Sequence, residues 1–260
     1  MIHGPGALLA HDDAVVHTNP HGQSPFLLIG DHAGCAIPDR LGTLGLNEAD
    51  RVRHIAWDIG IRELGSMLAQ AMDAVFIHQR YSRLVIDCNR DPFSPEAIPQ
   101  ISDGSKIPGN ADISNAARHE RMSAIHDPYH AAIAAEIERR ASARHPTVLV
   151  ALHSFTPRLA GLYRPWDIGV LHNGRRDCFA RVLIDTLRKD ETLKVGDNEP
   201  YQMDATDHSI PLHAFGRELA YAEVEIRQDL IATPAGLSRW CKILADALPS
   251  AGKRTIRDFS

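Results

Sequence analysis

Short apolar runs rich in β-branched residues alternate along the chain with longer stretches in which apolar residues recur every three or four positions. The first pattern is typical of buried strands and the second of amphipathic helices, so the sequence predicts an α/β fold. The apolar runs predict strands at residues 26–30, 74–78, 84–88, 147–152, 168–171 and 219–226. The helical spacing predicts helices at residues 47–72, 114–144, 175–188 and 234–248.

The proline-rich stretch at residues 91–112 interrupts this alternation. It contains four prolines and two glycines, too many for a regular helix or strand. It is also long for a connection inside a compact domain. We hold two interpretations open, an active-site loop and a surface excursion without a role.

The composition is ordinary for a globular chain of 260 residues, with 44% hydrophobic and 23% charged residues. No stretch of linker composition divides the chain, so we expect a single domain over residues 1–260. The formal net charge is -5, whereas nucleic acid and anionic membranes attract a basic face, so we expect neither as a partner. The N-terminal residues lack the apolar core of an export signal, and we expect a cytoplasmic protein.

Histidines follow two of the predicted strands. Asp31 and His32 come directly after residues 26–30, and His153 and Ser154 come directly after residues 147–152. Ligand groups collect at the carboxyl ends of strands in α/β sheets, so the two imidazoles have the opportunity to converge. Neutral imidazole is a common zinc ligand, and a catalytic zinc takes three protein ligands. A histidine in a loop is more often a solvated side chain, so this pair needs further ligands.

Charged residues share one face of the predicted strand at residues 219–226. Glu223, Glu225 and Arg227 are spaced by two, which places them on the same side of a strand. The simple interpretation is a solvated face. A central α/β strand is usually covered on both sides, however, and buried carboxylates there are costly unless they have a function.

Two arginines flank the predicted strand at residues 84–88. Guanidinium groups bind carboxylates through two parallel hydrogen bonds, so Arg83 and Arg90 are candidates for holding an acidic substrate. The alternative is that they only pair with Asp87 or Asp91 at the surface.

Four short segments, read in order, carry a family resemblance: Asp31-His32-Ala33-Gly34, Ser82-Arg83 through Asp87-Cys88-Asn89-Arg90, Leu152-His153-Ser154 and Glu223-Val224-Glu225-Ile226-Arg227. Together they resemble the N-formylglutamate amidohydrolase family, and more distantly the zinc carboxypeptidases and acylamino-acid deacylases. The resemblance implies a three-layer α/β/α fold with a mixed central sheet, similar to the phosphorylase/hydrolase-like fold. It also implies a zinc-dependent amidohydrolase that acts on a small N-acyl amino acid such as N-formylglutamate.

The resemblance also implies roles. His32 and His153 would bind Zn²⁺ or another divalent metal, and Glu225 would accept the proton of the attacking water. Asn89 and Arg90, together with Arg83, would hold the substrate carboxylate.

The second carboxypeptidase ligand is missing from its usual place, because Cys35 stands three residues after His32. Asp58 lies in an apolar segment that resembles the family's aspartate motif, so we expect it to be a third ligand or a support for the ligands. The alternative is an ordinary aspartate at a helix start. Supporting positions around the metal are expected for five further residues: Asp31, Ser154, Glu223, Arg227 and His208.

Other histidines resemble metal ligands less closely. His126 and His130 imitate a His-Glu-x-x-His helix, but aspartate replaces the glutamate and a proline lies inside the frame, so we expect them to serve packing. His208 and His213 could reach the site from a loop, although we favour solvated side chains for both.

The sequence alone leaves two alternative functions open. The protein could be a carboxypeptidase-like peptidase acting on a small peptide, or a non-catalytic binder of small carboxylates. A hydrolase with Ser154 or Cys35 as nucleophile is disfavoured, because the sequence has no Gly-x-Ser-x-Gly elbow.

Overall fold

The computed structural model describes residues 8–9 and 14–257. Several of the N-terminal residues on which the expectation about export rests lie outside the described residues. Within the described part, no helix combines the length and the apolar character needed to cross a bilayer.

The described strands are β1 (Val15–Thr18), β2 (Phe26–Gly30), β3 (Val75–Gln79), β4 (Ile101–Ser102), β5 (Ser105–Lys106), β6 (Val148–Phe155), β7 (Arg158–Leu159), β8 (Leu162–Tyr163), β9 (Ile168–Leu171), β10 (Val195–Asp197) and β11 (Ala220–Arg227). Seven of them form one sheet in the order β1-β3-β2-β6-β11-β9-β10. Strands β3, β2, β6 and β11 run parallel to one another, whereas β1 and β9 are antiparallel to their neighbours β3 and β11. The sheet is therefore mixed.

The described α-helices are α1 (Glu48–Arg51), α2 (Ile61–Ala71), α3 (Asn115–Arg121), α4 (Asp127–Ser142), α5 (Cys178–Leu187) and α6 (Pro234–Arg257). A π-helical segment, Met122–His126, joins α3 to α4. Ser114 caps α3, since its side chain accepts the N–H of Ala117.

Side-chain alternation along the strands divides the core between the two faces of the sheet. In β2, Phe26 and Leu28 pack in the cluster that contains α2, α5 and α6, whereas Leu27 and Ile29 pack in the cluster that contains α4. Helices therefore cover both faces. This arrangement confirms the predicted three-layer α/β fold with a mixed central sheet.

The predicted strand at residues 84–88 is wrong, because these residues lie in turns. The N–H of Leu84 bonds the Ser82 hydroxyl, and the N–H of Asp87 bonds the Ala97 carbonyl instead of a neighbouring strand. Leu84, Val85 and Ile86 are nevertheless buried. A short apolar run reports burial, and burial alone does not distinguish a strand from a buried turn.

The predicted helix at residues 47–72 is also wrong in its middle. It is divided into α1 and α2 by turns at residues 52–60, and Asp58 lies in this interruption. Gly60, at a φ of 85°, precedes the first residue of α2 and has a backbone conformation that favours glycine. The turns bring the Asp58 backbone to His32, whose carbonyl accepts the Asp58 N–H at 2.8 Å.

The parallel strands β2, β6 and β11 end at the same edge of the sheet. Glu225 of β11 is paired in register with His153 of β6, and Glu223 is paired with Ala151. Because Val224 and Leu152 pack in the cluster of α2, α5 and α6, these two glutamates and His153 face the other side of the sheet. The candidate residues thus gather above one edge.

Candidate active site

The turn after β2 carries Asp31 and His32 and is held close to the chain after β3. A Cβ placed on Gly34 would lie 2.1 Å from the carbonyl oxygen of Arg80, so only glycine allows this approach. The same turn pairs in parallel with the neighbouring chain through a bridge between Ala36 and Tyr81. The segment that follows the first parallel strand is therefore fixed in place, and His32 with it.

His32, Asp58 and His153 meet at the centre of this edge. One ligand atom of each lies within 4.8 Å of the others, and all three side chains are buried. Asp58 Oδ2 is 2.9 Å from Nδ1 of His153 and 3.6 Å from Nδ1 of His32. The structure thus brings together the three residues that the sequence nominated as ligands, which we call the triad.

The outer nitrogen of each triad histidine faces a buried carboxylate. Nε2 of His32 lies 2.7 Å from Asp87 Oδ1, and Nε2 of His153 lies 3.2 Å from Asp31 Oδ2. Histidines that bind metals usually give their second N–H to such a carboxylate, which fixes the ring and leaves the other nitrogen for the metal. Nδ1 of His32 and Nε2 of His153 are both buried without a hydrogen bond among the described residues. The approach of Asp31 to His153 is therefore an ion-pair contact, and the hydrogen bond of this ring joins its Nδ1 to Asp58.

This donor set fits a divalent transition metal. Two imidazoles and one carboxylate are the ligand types of catalytic zinc sites, which keep a further position open. Burial alone would raise the pKa of Asp58, but the adjoining His32 and His153 outweigh it and hold the pKa below its usual range. The ligand carboxyl is therefore ionised, the state that a metal requires.

Glu223 and Glu225 lie beside the triad as buried acids. Burial raises the pKa of Glu225 to about 7 and raises the pKa of Glu223 well above its usual value. One carboxyl oxygen of each is buried without a hydrogen-bond partner among the described residues. A carboxyl group with a pKa near neutrality both accepts and returns a proton readily, which is the property of a general base and acid.

The two arginines have different surroundings. Arg83 donates two hydrogen bonds to Asp87 Oδ2, at 3.0 and 2.6 Å, and therefore braces the carboxylate that orients His32. Arg90 donates to the carbonyls of Asn89 and Thr206, and its nearest carboxylate, on Asp207, is 3.7 Å away. Each arginine thus makes two hydrogen bonds to the protein, but only Arg83 hydrogen-bonds a carboxylate, so the charge of Arg90 is less fully compensated and more available to an anionic ligand.

Asn89 holds a loop together. Its Oδ1 accepts the backbone N–H groups of His208 and Ser209, at 3.0 and 2.9 Å, and its Nδ2 donates to Asp207 at 3.3 Å. Its side-chain polar atoms are therefore occupied by the protein. In this structure Asn89 shapes the wall of the site.

A cleft of about 270 Å³ opens over the triad. Besides the triad and both glutamates, Arg83, Arg90 and Ser154 contribute to its lining, and Tyr201 and Asp207 come from a distant part of the chain. The volume suits a ligand about the size of an acylated amino acid.

Two of the residues nominated as supports lie away from the cleft. Arg227, the last residue of β11, pairs with Asp229 at 2.8 Å and with Asp167 at 3.3 Å. His208 packs against His126, with ring centres 5.3 Å apart. His213 is buried, so the favoured interpretation of a solvated histidine is wrong for that residue.

The sequence interpretation missed three contributors. Asp87 appeared only as a possible partner of an arginine, yet it also binds His32. Ser209 donates its hydroxyl to Asp31 at 2.7 Å, and Tyr201 lines the cleft. The position of Asp87 inside a recognised segment was a usable signal, whereas Ser209 and Tyr201 gave none.

Comparison with known proteins gives consistent results. The family model described as N-formylglutamate amidohydrolase matches residues 24–232, a range that includes the triad, both glutamates and both cleft arginines. The crystal structure of a gene product from Agrobacterium tumefaciens is 35% identical, covers 94% of this chain and 96% of its own, and has a TM-score of 0.90. An N-formylglutamate amidohydrolase from Ralstonia eutropha, 18% identical over 92% of this chain and 97% of its own, has a TM-score of 0.67 and shares the fold. No curated protein matches the sequence.

Proposed function

The chain belongs to the N-formylglutamate amidohydrolase family and is a hydrolase of non-peptide amide bonds, and we propose that its substrate is a small N-acyl amino acid, with N-formyl-L-glutamate the first candidate. We further propose that His32, Asp58 and His153 hold a divalent metal ion, zinc foremost. The observation that carries the proposal is the triad itself, in which each histidine is backed by a carboxylate and a buried glutamate lies alongside.

A metal ion bound by the triad would polarise the amide carbonyl and acidify water. Glu225 then accepts a proton as the water oxygen forms its bond to the amide carbon. When the carbon–nitrogen bond breaks, Glu225 returns this proton to the departing amine nitrogen, so one carboxyl group serves both steps. Its pKa of about 7, raised by burial, suits both directions of transfer.

Arg90 is the better candidate for the substrate carboxylate. It lines the cleft, and its protein partners are two carbonyls and two carboxylates beyond hydrogen-bond distance, Asp207 at 3.7 Å and Glu96 at 3.8 Å. Arg83 also lines the cleft but is committed to Asp87. We therefore assign Arg90 to binding the acidic end of the substrate and Arg83 to bracing Asp87 and His32. Holding the carboxylate at a fixed distance from the triad would align the amide for attack.

The size of the cleft favours an acylated amino acid over a longer peptide. The carboxypeptidase-like and non-catalytic alternatives are tested in the same assay. Purified protein is incubated with N-formyl-, N-acetyl- and N-succinyl-L-glutamate and with a glutamate-containing dipeptide, and free amine is measured. The assay is repeated after chelation and again after zinc is restored.

We expect amine release from N-formyl-L-glutamate. This release should stop on chelation and return when zinc is restored. Faster cleavage of the dipeptide would favour the peptidase. Saturable binding of N-formyl-L-glutamate by metal-loaded protein without amine release would favour the binder. Release that is unaffected by chelation would overturn the role of the metal.

A further inference from the structure

A second group of imidazoles packs behind the wall of the cleft. His126, His130, His208 and His213, here called the histidine cluster, have neighbouring ring centres 4.4 to 5.3 Å apart. One ring nitrogen from each of His126, His130 and His208 lies within 4.8 Å of the others. The hydrolysis proposed above uses none of these side chains.

Backbone carbonyls hold one ring nitrogen of His130 and one of His126. Nε2 of His130 is 2.9 Å from the carbonyl oxygen of Cys88, and Nε2 of His126 is 3.3 Å from that of Arg90. A carbonyl oxygen only accepts, so Nε2 of His130 donates and its Nδ1 has a lone pair in the neutral ring. His126 faces an acceptor at both nitrogens, because the Asp127 carboxylate lies 3.4 Å from its Nδ1, and an ion bound at that nitrogen would replace this contact. A second N–H held by a carbonyl is typical of a metal-binding histidine.

The spacing of the rings matches coordination of one ion. With a metal–nitrogen bond of about 2.0–2.1 Å, imidazoles around a tetrahedral ion have ring centres about 5 Å apart. The pairs His126–His130, His126–His208 and His130–His208 are separated by 4.4, 5.3 and 5.1 Å. Packed aromatic rings also lie about 4.5–7 Å apart, so these separations permit coordination without requiring it. The convergence of one ring nitrogen from each of the three histidines is the observation that points to an ion.

The surroundings of the cluster include an unpaired ring nitrogen and an acid. Nδ1 of His213 is buried without a hydrogen-bond partner among the described residues. The Asp127 carboxylate lies 3.4 Å from Nδ1 of His126, where it would offset the positive charge of an ion.

We propose that His126, His130 and His208 bind a second transition-metal ion of the zinc class, separate from the triad. At Nδ1 of His130, the ion replaces one hydrogen bond, which His213 Nε2 makes at 2.9 Å. The π-helical segment that ends at His126 sets the orientation of that ring relative to His130 on α4. Three imidazoles without a carboxylate suit zinc, copper, nickel or cobalt better than magnesium or calcium.

This ion would fix one wall of the cleft. His208 follows Asp207, which lines the cleft, and its backbone is held by Asn89. An ion bound by His208, His126 and His130 would hold this loop against the π-helical segment and α4, which carry the other two histidines. The second ion is thus expected to affect substrate binding more than the chemical step.

Metal stoichiometry tests the proposal. Metal-free full-length protein is titrated separately with Zn²⁺ and Co²⁺, and bound metal is measured by elemental analysis after gel filtration. The variants are His153→Ala for the triad, His126→Ala for the cluster, and the double variant. His119→Ala is the matched control, because His119 is an exposed histidine on α3 that bonds only its own helix, at the Asn115 carbonyl.

We expect two ions in the wild type and the control, one in each single variant and none in the double variant. His208→Asn covers the possibility that His126→Ala misfolds, because His208 is half-buried in a loop. It should weaken the second site at least about 100-fold with an unchanged circular dichroism spectrum.

The outcomes separate the two sites. One ion in the wild type that is lost in His153→Ala and kept in both His126→Ala and His208→Asn would overturn the second site and leave the triad intact. One ion that is lost in His126→Ala and kept in His153→Ala would support the second site and count against the proposed function.

Discussion

The triad and the histidine cluster are built from the same side chain in opposite electrostatic surroundings. Burial alone would lower the pKa of His153, but the adjoining carboxylates of Asp31 and Asp58 outweigh it and raise the pKa well above its usual value. At His130, burial and the neighbouring imidazoles act in the same direction, and the pKa falls to about 3. Carboxylates surround His153, whereas a carbonyl and other imidazoles surround His130.

The comparison shows that burial does not by itself decide the character of a histidine. His153 and His130 are both buried, yet the partner of the outer nitrogen differs. A carboxylate makes the ring a more basic ligand and adds negative charge around a bound cation. A carbonyl only orients the ring. We therefore expect the triad to bind its ion more tightly than the histidine cluster. A higher metal affinity at the cluster would contradict this explanation.

The largest effect is expected at the glutamate beside the triad. Glu225→Gln removes the proton acceptor and should lower kcat by about 10²–10⁴-fold while metal content stays at the wild-type level. The measurements are amine release and elemental analysis on the same sample. Glu223→Gln is the matched comparison, because burial keeps Glu223 protonated and glutamine resembles that state. A kcat near the wild-type value in Glu225→Gln would reject the assignment.

The next largest effect is expected on metal affinity when Asp87, the carboxylate that faces His32, is changed. Asp87→Asn keeps the shape but removes the charge that faces Nε2 of His32 and the guanidinium of Arg83. Metal affinity at the triad should fall about 10–100-fold. Competition with a chromophoric chelator measures it, and the affinity of the histidine cluster in the same sample should not change. An equal fall at both sites would indicate general destabilisation instead.

A smaller effect is expected for substrate recognition. Arg90→Met removes a charged donor from the cleft and should raise KM for N-formyl-L-glutamate about 10–100-fold with a smaller change in kcat. Arg51→Met is the control, because Arg51 is exposed on α1, away from the cleft. If Arg83 were the carboxylate binder instead, Arg83→Met would raise KM more and leave metal affinity unchanged.

The smallest effect connects the two regions. His208→Asn should raise KM by roughly 3–10-fold with little change in kcat, because it loosens the loop that carries Asp207 and leaves the triad untouched. Steady-state kinetics with and without added Zn²⁺ measure this. The difference from wild type should disappear in buffer without added Zn²⁺, in which only the tighter triad retains its ion. A fall in kcat with an unchanged KM would contradict a role in shaping the cleft.

Much of the site was predictable because strand ends are predictable. Apolar runs mark buried strands, and parallel strands end at one edge, so His32 and His153 were expected to converge, and the structure brings them together. Glu225 was nominated through the family resemblance and is paired in register with His153. Asp58 was nominated through a family resemblance. The single helix predicted across its position hid the turns that carry it to His32, because helical spacing continues across a break.

The sequence by itself determined the α/β class and the strand ends at which the chemistry gathers, since periodicity is a local and repeated signal. The family resemblance added the three layers and the mixed sheet. Only the tertiary structure decided the partners: Asp87 on His32, Asp31 on His153, and His208 with His213 beside the helix histidines. These contacts join residues that are distant along the chain. The turns that create them depend on single close approaches, such as Gly34 against Arg80, which leave no periodic pattern in the sequence.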